Sequence, residues 1–148
     1  MIRQISIKTR FGWISAYEEG GRIFKIKYGK TRISNNSIVL KRFKKKLLKF
    51  FNKKTLLIKS PHILKGSLLQ KKIWIELKKI KFGKTKSYRE IAKKFNISPR
   101  HVGKICGQNK LLLLIPCHRV IRSDGTLGGF SGLGGILFKK EMLNFEKN

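Results

Sequence analysis

Acidic residues are scarce in this chain. Seven Asp and Glu stand against 36 Lys and Arg, a net charge of +29. Such a field repels cationic ligands and favours polyanions, which release condensed counterions when they are neutralised. The excess is spread evenly, with residues 1–66 contributing +16 and residues 67–148 contributing +13. A lysine-rich genomic bias, with the lysines only solvating the surface, would give a similar composition. The excess exceeds what solubility requires, so nucleic acid ranks ahead of that reading, and an anionic membrane surface ranks below it.

Cysteine is scarcer still. Cys106 and Cys117 are too few for a disulfide framework, and His62, His101 and His118 stand at no finger-like spacing from them. No structural metal and no cofactor are expected. Long hydrophobic runs are also missing: the longest, from Leu111 to Pro116, is far short of the roughly 18–20 residues that cross a bilayer. The N-terminus, MIRQISIKTRFGW, lacks the pattern of a signal peptide, so a cytosolic or nucleoid-associated protein is expected. With 41% apolar residues, 148 residues suffice for one domain or two small ones.

Only three prolines punctuate the chain, and each has a place. Before Pro61, residues 5–32 read as strands: Ile5 and Ile7 alternate, FGWISA follows, and after an EEGG turn Phe24, Ile26 and Tyr28 share one face. From Ile38 to Phe51, Val39, Phe43, Leu47 and Phe50 recur at helical spacing between lysines, and that basic face reads first as a solvated surface. Pro61 and Gly66 then mark a connector, giving a small sheet-plus-helix domain over 1–65 and a mostly helical domain over 66–148.

In the second domain, Ser67 with Gln70 makes a capping box, followed by a stripe of Leu69, Ile73, Leu77 and Ile80 and an end at Gly83. Ser87 with Glu90 makes another and opens a helix from Tyr88 to Phe95. Ser98 and Pro99 then start a further helix, Arg100 to about Gln108. Two short helices joined by a tight turn in so basic a chain suggest a helix-turn-helix.

Pro116 interrupts the run LLLLIPCHRVI and presents Cys117 beside His118. Spacing alone leaves Cys117 open between a reactive thiol and a buried, inert one. Nearby His118, Arg119 and Arg122 would favour thiolate, whereas free cysteines are usually buried and adjacent side chains in an extended segment point opposite ways.

IPCHRVI, with KFGKTKSYREIA and SPRHVGKICGQN before it and GGFSG after it, resembles the O6-alkylguanine-DNA alkyltransferases (methylated-DNA–protein-cysteine methyltransferases) over about residues 67–148. The resemblance implies an α+β fold: a ribonuclease-H-like N-terminal domain of antiparallel sheet plus helix, then a winged helix-turn-helix domain. It implies a monomer that binds double-stranded DNA containing O6-alkylguanine through the minor groove, flips the base out and takes the alkyl group irreversibly onto Cys117. His118 would act as general base through a water, Glu146 would orient it, and Tyr88 would hydrogen-bond the base. A lysine seven positions earlier, Lys139, favours Glu146 over Glu141 for that role.

Ser131, Phe130, Asn109 and Lys139 would stand on the substrate side, and Arg100, Gly103 and Arg119 on the DNA side. Three departures accompany the likeness. Phe130 replaces a usual tyrosine, the segment GLGGILFKK is about two residues longer than is common, and residues 1–66 hold no cysteine for the zinc site of some members. A non-catalytic lesion binder, a plain helix-turn-helix regulator and a cysteine hydrolase are the alternatives. Cys117 argues against the first, PCHR and Glu146 would be idle in the second, and nothing in the sequence advertises an oxyanion hole for the third.

Overall fold

The computed structural model describes residues 1–128 and 135–147. The chain divides into two compact units, Met1–Leu64 with Lys110–Leu114, and Lys65–Asn109 with Ile115–Asn148.

The first unit is an antiparallel sheet of β1 (Arg3–Thr9), β2 (Gly12–Glu19) and β3 (Arg22–Tyr28), in that order. Gly20 and Gly21 turn β2 into β3 with φ of 61° and 84°. Positive φ at both central residues suits a tight hairpin and is why glycines stand there. Ile5, Ile7, Ile14, Ala16 and Ile26 are buried, and helix α1 (Ile38–Phe51) packs on the sheet through Leu40, Phe43, Leu47, Phe50 and Phe51. Each such side chain contributes roughly 1.5–3 kcal/mol of burial. Ser37 caps α1 by accepting from the Leu40 N–H at 3.2 Å.

Strand β3 departs from the simple alternation of Phe24, Ile26 and Tyr28. Tyr17 pairs with Lys25 but Glu18 pairs with Ile23, so Phe24 is an extra residue and Ile23 turns inward with Ile26. A bulge of this kind switches the face on which the residues beyond it fall.

The outer edge of β3 needs partners for its backbone groups. Ile23 N–H donates to Pro61 O at 2.9 Å and Ile26 N–H to Lys110 O at 2.8 Å, while Leu112 N–H returns to Ile26 O at 3.3 Å. Residues 110–114, expected with the second domain, therefore group with the first sheet. Their run of leucines is buried there.

In the second unit, Ser67 and Gln70 close a capping box on α2 (Leu68–Leu77), and Ser87 and Glu90 close another on α3 (Tyr88–Phe95). Ser98 Oγ accepts from the His101 N–H at 3.1 Å and starts α4 (Pro99–Gly107). Asn96 ends α3 in a left-handed conformation, φ 54°, so only a short turn separates α3 from α4, and the two pack together. Helix α2 stops at Leu77 rather than running to Gly83, and Ile80 is buried from the turn that follows.

Strand β4 (Lys86–Ser87) pairs in parallel with β5 (Val120–Ile121), and α5 (Gly135–Lys147) follows. The α+β class holds. The ribonuclease-H-like and winged labels go further than three strands with one helix, and a two-residue strand pair, establish. Among the described residues no helix is long and apolar enough to cross a membrane.

Candidate active site

Cys117 and His118 lie in a 3-10 turn, Cys117–Arg119, not in an extended segment. Pro116 precedes the turn, and the Arg119 N–H donates back to its carbonyl at 3.0 Å. The turn places three consecutive buried side chains in the second unit: Cys117 is 4% exposed, His118 1% and Arg119 7%.

Asn109 follows α4 and reaches this turn. Its Nδ2 donates to Ile115 O at 3.0 Å and to Cys117 Sγ at 3.3 Å, and its N–H donates to Cys106 O at 3.2 Å. Burial pushes the Cys117 thiol above its ordinary value, opposed by the Asn109 hydrogen bond and the charge of Lys139. Spacing leaves Cys117 open between a reactive thiol favoured by His118, Arg119 and Arg122 and a buried one; the thiol is buried, and among the causes that act on its pKa the cation is Lys139. Cys106 is likewise pushed up, to about 12, by burial and then by Cys117.

His118 Nε2 lies 2.7 Å from Glu146 Oε2. A carboxylate can only accept, so Nε2 carries the proton and Nδ1 is the basic nitrogen. Burial lowers the His118 pKa against the raising influence of Glu146, so the imidazole is neutral at neutral pH.

Glu146 has further partners. Arg119 donates to it through Nε at 2.8 Å and Nη2 at 2.9 Å, a bidentate pair, and Gly83 N–H adds a 3.3 Å contact. Burial raises the Glu146 pKa, but its bonds to His118 and Arg119 outweigh that and hold it at about 2. Arg119 also donates from Nη1 to Ile80 O at 2.7 Å. Expected on the DNA side, Arg119 is instead an interior anchor, because its guanidinium is engaged with Glu146 and Ile80. Nothing local in the sequence signalled this, because the burial of Glu146 is set by the fold; once buried, that carboxylate requires a cationic partner, and Arg is suited to bidentate pairing.

Lys139, from α5, is fully buried. Its Nζ donates to Val120 O at 2.6 Å and to Tyr88 Oη at 3.1 Å. Burial lowers its pKa, and Cys117 and Cys106 raise it. Tyr88, the first residue of α3, is half-buried, and burial followed by the two cysteines pushes its phenol up to about 12. It stays a protonated donor at neutral pH.

Tyr88 forms one wall of a groove of about 690 Å³ whose lining includes Arg89, Arg100, Gly103, Arg122 and Gly128. A cavity of that size takes a small-molecule-sized group. Cys117 is not in its lining. Gly128, at φ +75°, lies so close that a Cβ there would come within 3.0 Å of the Tyr88 ring. Gly103 leaves ordinary contact distance, 3.8 Å, to the same ring. Arg100 and Gly103 thus share the groove with Tyr88, whereas Asn109 bonds Cys117 Sγ, the Lys139 charge acts on the same thiol, and Glu146 engages His118 and Arg119. Ser131 and Phe130 lie outside the described residues. Arg89 joins the groove without having been singled out from the sequence, and Arg122, read there only as a neighbour favouring the Cys117 thiolate, lines it as well. Among the described residues no group of three or more His, Cys, Asp or Glu is placed to hold a metal ion.

Residues 68–148 match the model of the 6-O-methylguanine DNA methyltransferase DNA-binding domain. A methylated-DNA–protein-cysteine methyltransferase of Metallosphaera sedula is 35% identical over 99% of this chain and 94% of its own length. One from Methanocaldococcus vulcanius is 51% identical over 57% of this chain, a match that spans half the relative's length. Among solved structures, Mycobacterium tuberculosis OGT in complex with DNA superposes with a TM-score of 0.86 at 27% identity, covering 98% of this chain and 92% of that one. The O6-methylguanine-DNA methyltransferase of Pyrococcus kodakaraensis shares the fold at a TM-score of 0.75 and 22% identity, covering all of both chains. The family model covers more than half of the chain and a relative matches along almost all of it, so this protein belongs to the 6-O-methylguanine DNA methyltransferase family.

Proposed function

We propose that the protein repairs double-stranded DNA by moving the alkyl group of O6-alkylguanine onto Cys117, once per molecule. The observation that carries this reading is the sealed Cys117 thiol, held by Asn109 next to a neutral His118 whose Nε2–H is fixed by Glu146.

His118 Nδ1, through a water, takes the thiol proton. Cys117 Sγ then attacks the alkyl carbon in line, the S–C bond forms and the O6–C bond breaks. The electron pair of the broken bond stays with guanine, which receives a proton, so a thiol and an alkylguanine become a thioether and guanine. A soft sulfur nucleophile made on demand suits this displacement. Glu146 orients His118, and Arg119 orients Glu146, an arrangement of base and orienter like that of a triad.

Tyr88, kept protonated and braced by Lys139, donates to the departing guanine as negative charge grows on it. The Lys139 ammonium also favours the thiolate in the moment it exists. The target atom lies within the base stack, so the nucleotide must be turned out at a cost of a few kcal/mol. Exposed Arg100, at the start of α4, would fill the gap, with α4 in the minor groove and Gly103 permitting close approach. Ser131 and Phe130 complete the base pocket in this reading, the protein acts as a monomer in the cytosol or on the nucleoid, and no cofactor takes part.

The test is stoichiometric. A duplex carrying O6-[³H-methyl]guanine should label one equivalent of protein in a single burst, and Cys117→Ala should take up none. Continued turnover, or label retained by Cys117→Ala, would overturn the reading.

A further inference from the structure

Helix α1 presents its solvent side almost wholly as cations. Its exposed positions are Ile38, Lys41, Arg42, Lys44, Lys45 and Lys49. The helix holds no acid, and residues 1–66 contain only Glu18, which is buried, and Glu19. Lys41 with Lys45, Arg42 with Lys45, and Lys45 with Lys49 stand at i,i+3 or i,i+4 spacing, each like-charge pair costing roughly 0.2–0.5 kcal/mol in an isolated helix. The first turn offers no carboxylate to the helix dipole either. The second unit arranges its charges otherwise: Glu76 takes Lys79 at 3.2 Å and Lys94 at 2.9 Å. An external anion would relieve the repulsion left standing on this helix face.

The chemistry of that face selects the anion. A helix that lies in a membrane surface needs its apolar side free to enter the lipid. In α1 that side is Leu40, Phe43, Leu47, Phe50 and Phe51, all buried in the unit's own core. What remains is a row of cations repeating about every 6 Å along the axis at i,i+4, close to the separation of consecutive phosphates on a nucleic-acid strand. We infer that the outward face of α1 is a contact for the phosphate backbone of duplex DNA, carried by the first unit and separate from the groove of α3 and α4. It needs neither a lesion nor Cys117, and it serves to hold undamaged DNA during the search.

The full-length chain is titrated with a short undamaged duplex across a salt series. Two variants each remove four charges: Lys41, Arg42, Lys45 and Lys49→Gln on α1, and Lys8, Lys25, Lys27 and Lys30→Gln in and after the sheet. The α1 variant is expected to bind about tenfold more weakly at 0.1 M salt, with a log K–log salt slope shallower by roughly 0.9 for each phosphate that is no longer neutralised. The sheet variant should stay within about threefold of the parent. Equal weakening of both variants would mean that only total charge matters, and would overturn the inference, as would parental binding by the α1 variant. Loss of binding to phosphatidylserine vesicles with duplex binding intact would overturn it in favour of a membrane. Thermal unfolding and alkyl uptake from free O6-alkylguanine base report the fold. Should the fourfold variant melt early, Arg42→Gln and Lys45→Gln are read singly, each lowering the slope by about 0.9 if the inference holds and by nothing if it fails.

Discussion

At the scale of single residues, chemistry turns on protons held where burial wants them. Burial raises the Cys117 pKa against Asn109 and Lys139, so in the proposed mechanism its reactivity depends on His118. With the His118 pKa below 6.5, the imidazole is a competent base across neutral pH. The transfer rate should therefore be flat above about pH 6.5 and fall only as His118 protonates below it, measured by single-turnover methyl uptake. His118→Asn should lower the rate roughly 10²-fold or more, with Cys117 still the acceptor. Arg119→Met removes the bidentate partner of Glu146 and should cost about 3–5 kcal/mol of stability, the usual consequence of stranding a buried charge. A urea melt measures it, and a loss below about 1 kcal/mol would place the anchoring of Glu146 elsewhere.

At the scale of elements, the two glycines that face Tyr88 predict opposite outcomes. Gly128→Ala meets the Tyr88 ring at 3.0 Å from a left-handed backbone and should destabilise by about 1–2 kcal/mol. Gly103→Ala finds room and should raise the melting temperature, by up to about 1 kcal/mol of helix propensity. If Gly103 serves close approach to DNA, the same change weakens duplex binding while the fold gains. If it serves packing alone, affinity is unchanged.

These elements also mark what local sequence can reveal. Both capping boxes and the Ser98–Pro99 start were legible, because a cap is satisfied within four residues. The β4–β5 pair was not, since two residues carry no periodicity and their partners lie more than 30 positions apart. The return of residues 110–114 to β3 and the inward turn of Arg119 were hidden for the same reason, since each answers a distant group; the Phe24 bulge lies within a hairpin and was masked by the apparent alternation of Phe24, Ile26 and Tyr28. The Cys117–His118 pair stood out in the sequence, but its geometry did not, since the 3-10 turn that buries both follows Pro116 and is held by contacts with Asn109 and Glu146.

At the scale of the whole molecule, stability should depend on acid in two windows. Glu146 falls from an ordinary 4.5 to about 2 on folding, so its contribution is complete above about pH 4.5 and is lost as pH falls toward 2. The difference is worth on the order of 3 kcal/mol. His118 acts in the same direction at higher pH. Buried and neutral, it lets the unfolded chain bind a proton first, so stability declines once pH drops below 6.5. Unfolding free energies from urea melts should thus fall gently below pH 6.5 and more steeply below 4.5, and Glu146→Gln should flatten the lower arm. The charge of +29 sets a second global property, a steep loss of duplex affinity with salt.

In the proposed reaction Cys117 receives an alkyl group from guanine. Incubation with an O6-methylguanine duplex, followed by digestion and mass measurement of the Cys117 and Cys106 peptides, tests it directly. A gain of one methylene, about 14 Da, is expected on the Cys117 peptide alone, as for a covalent thioether. An unmodified Cys117 peptide from protein that still binds the lesion, or the added mass on Cys106, would contradict it.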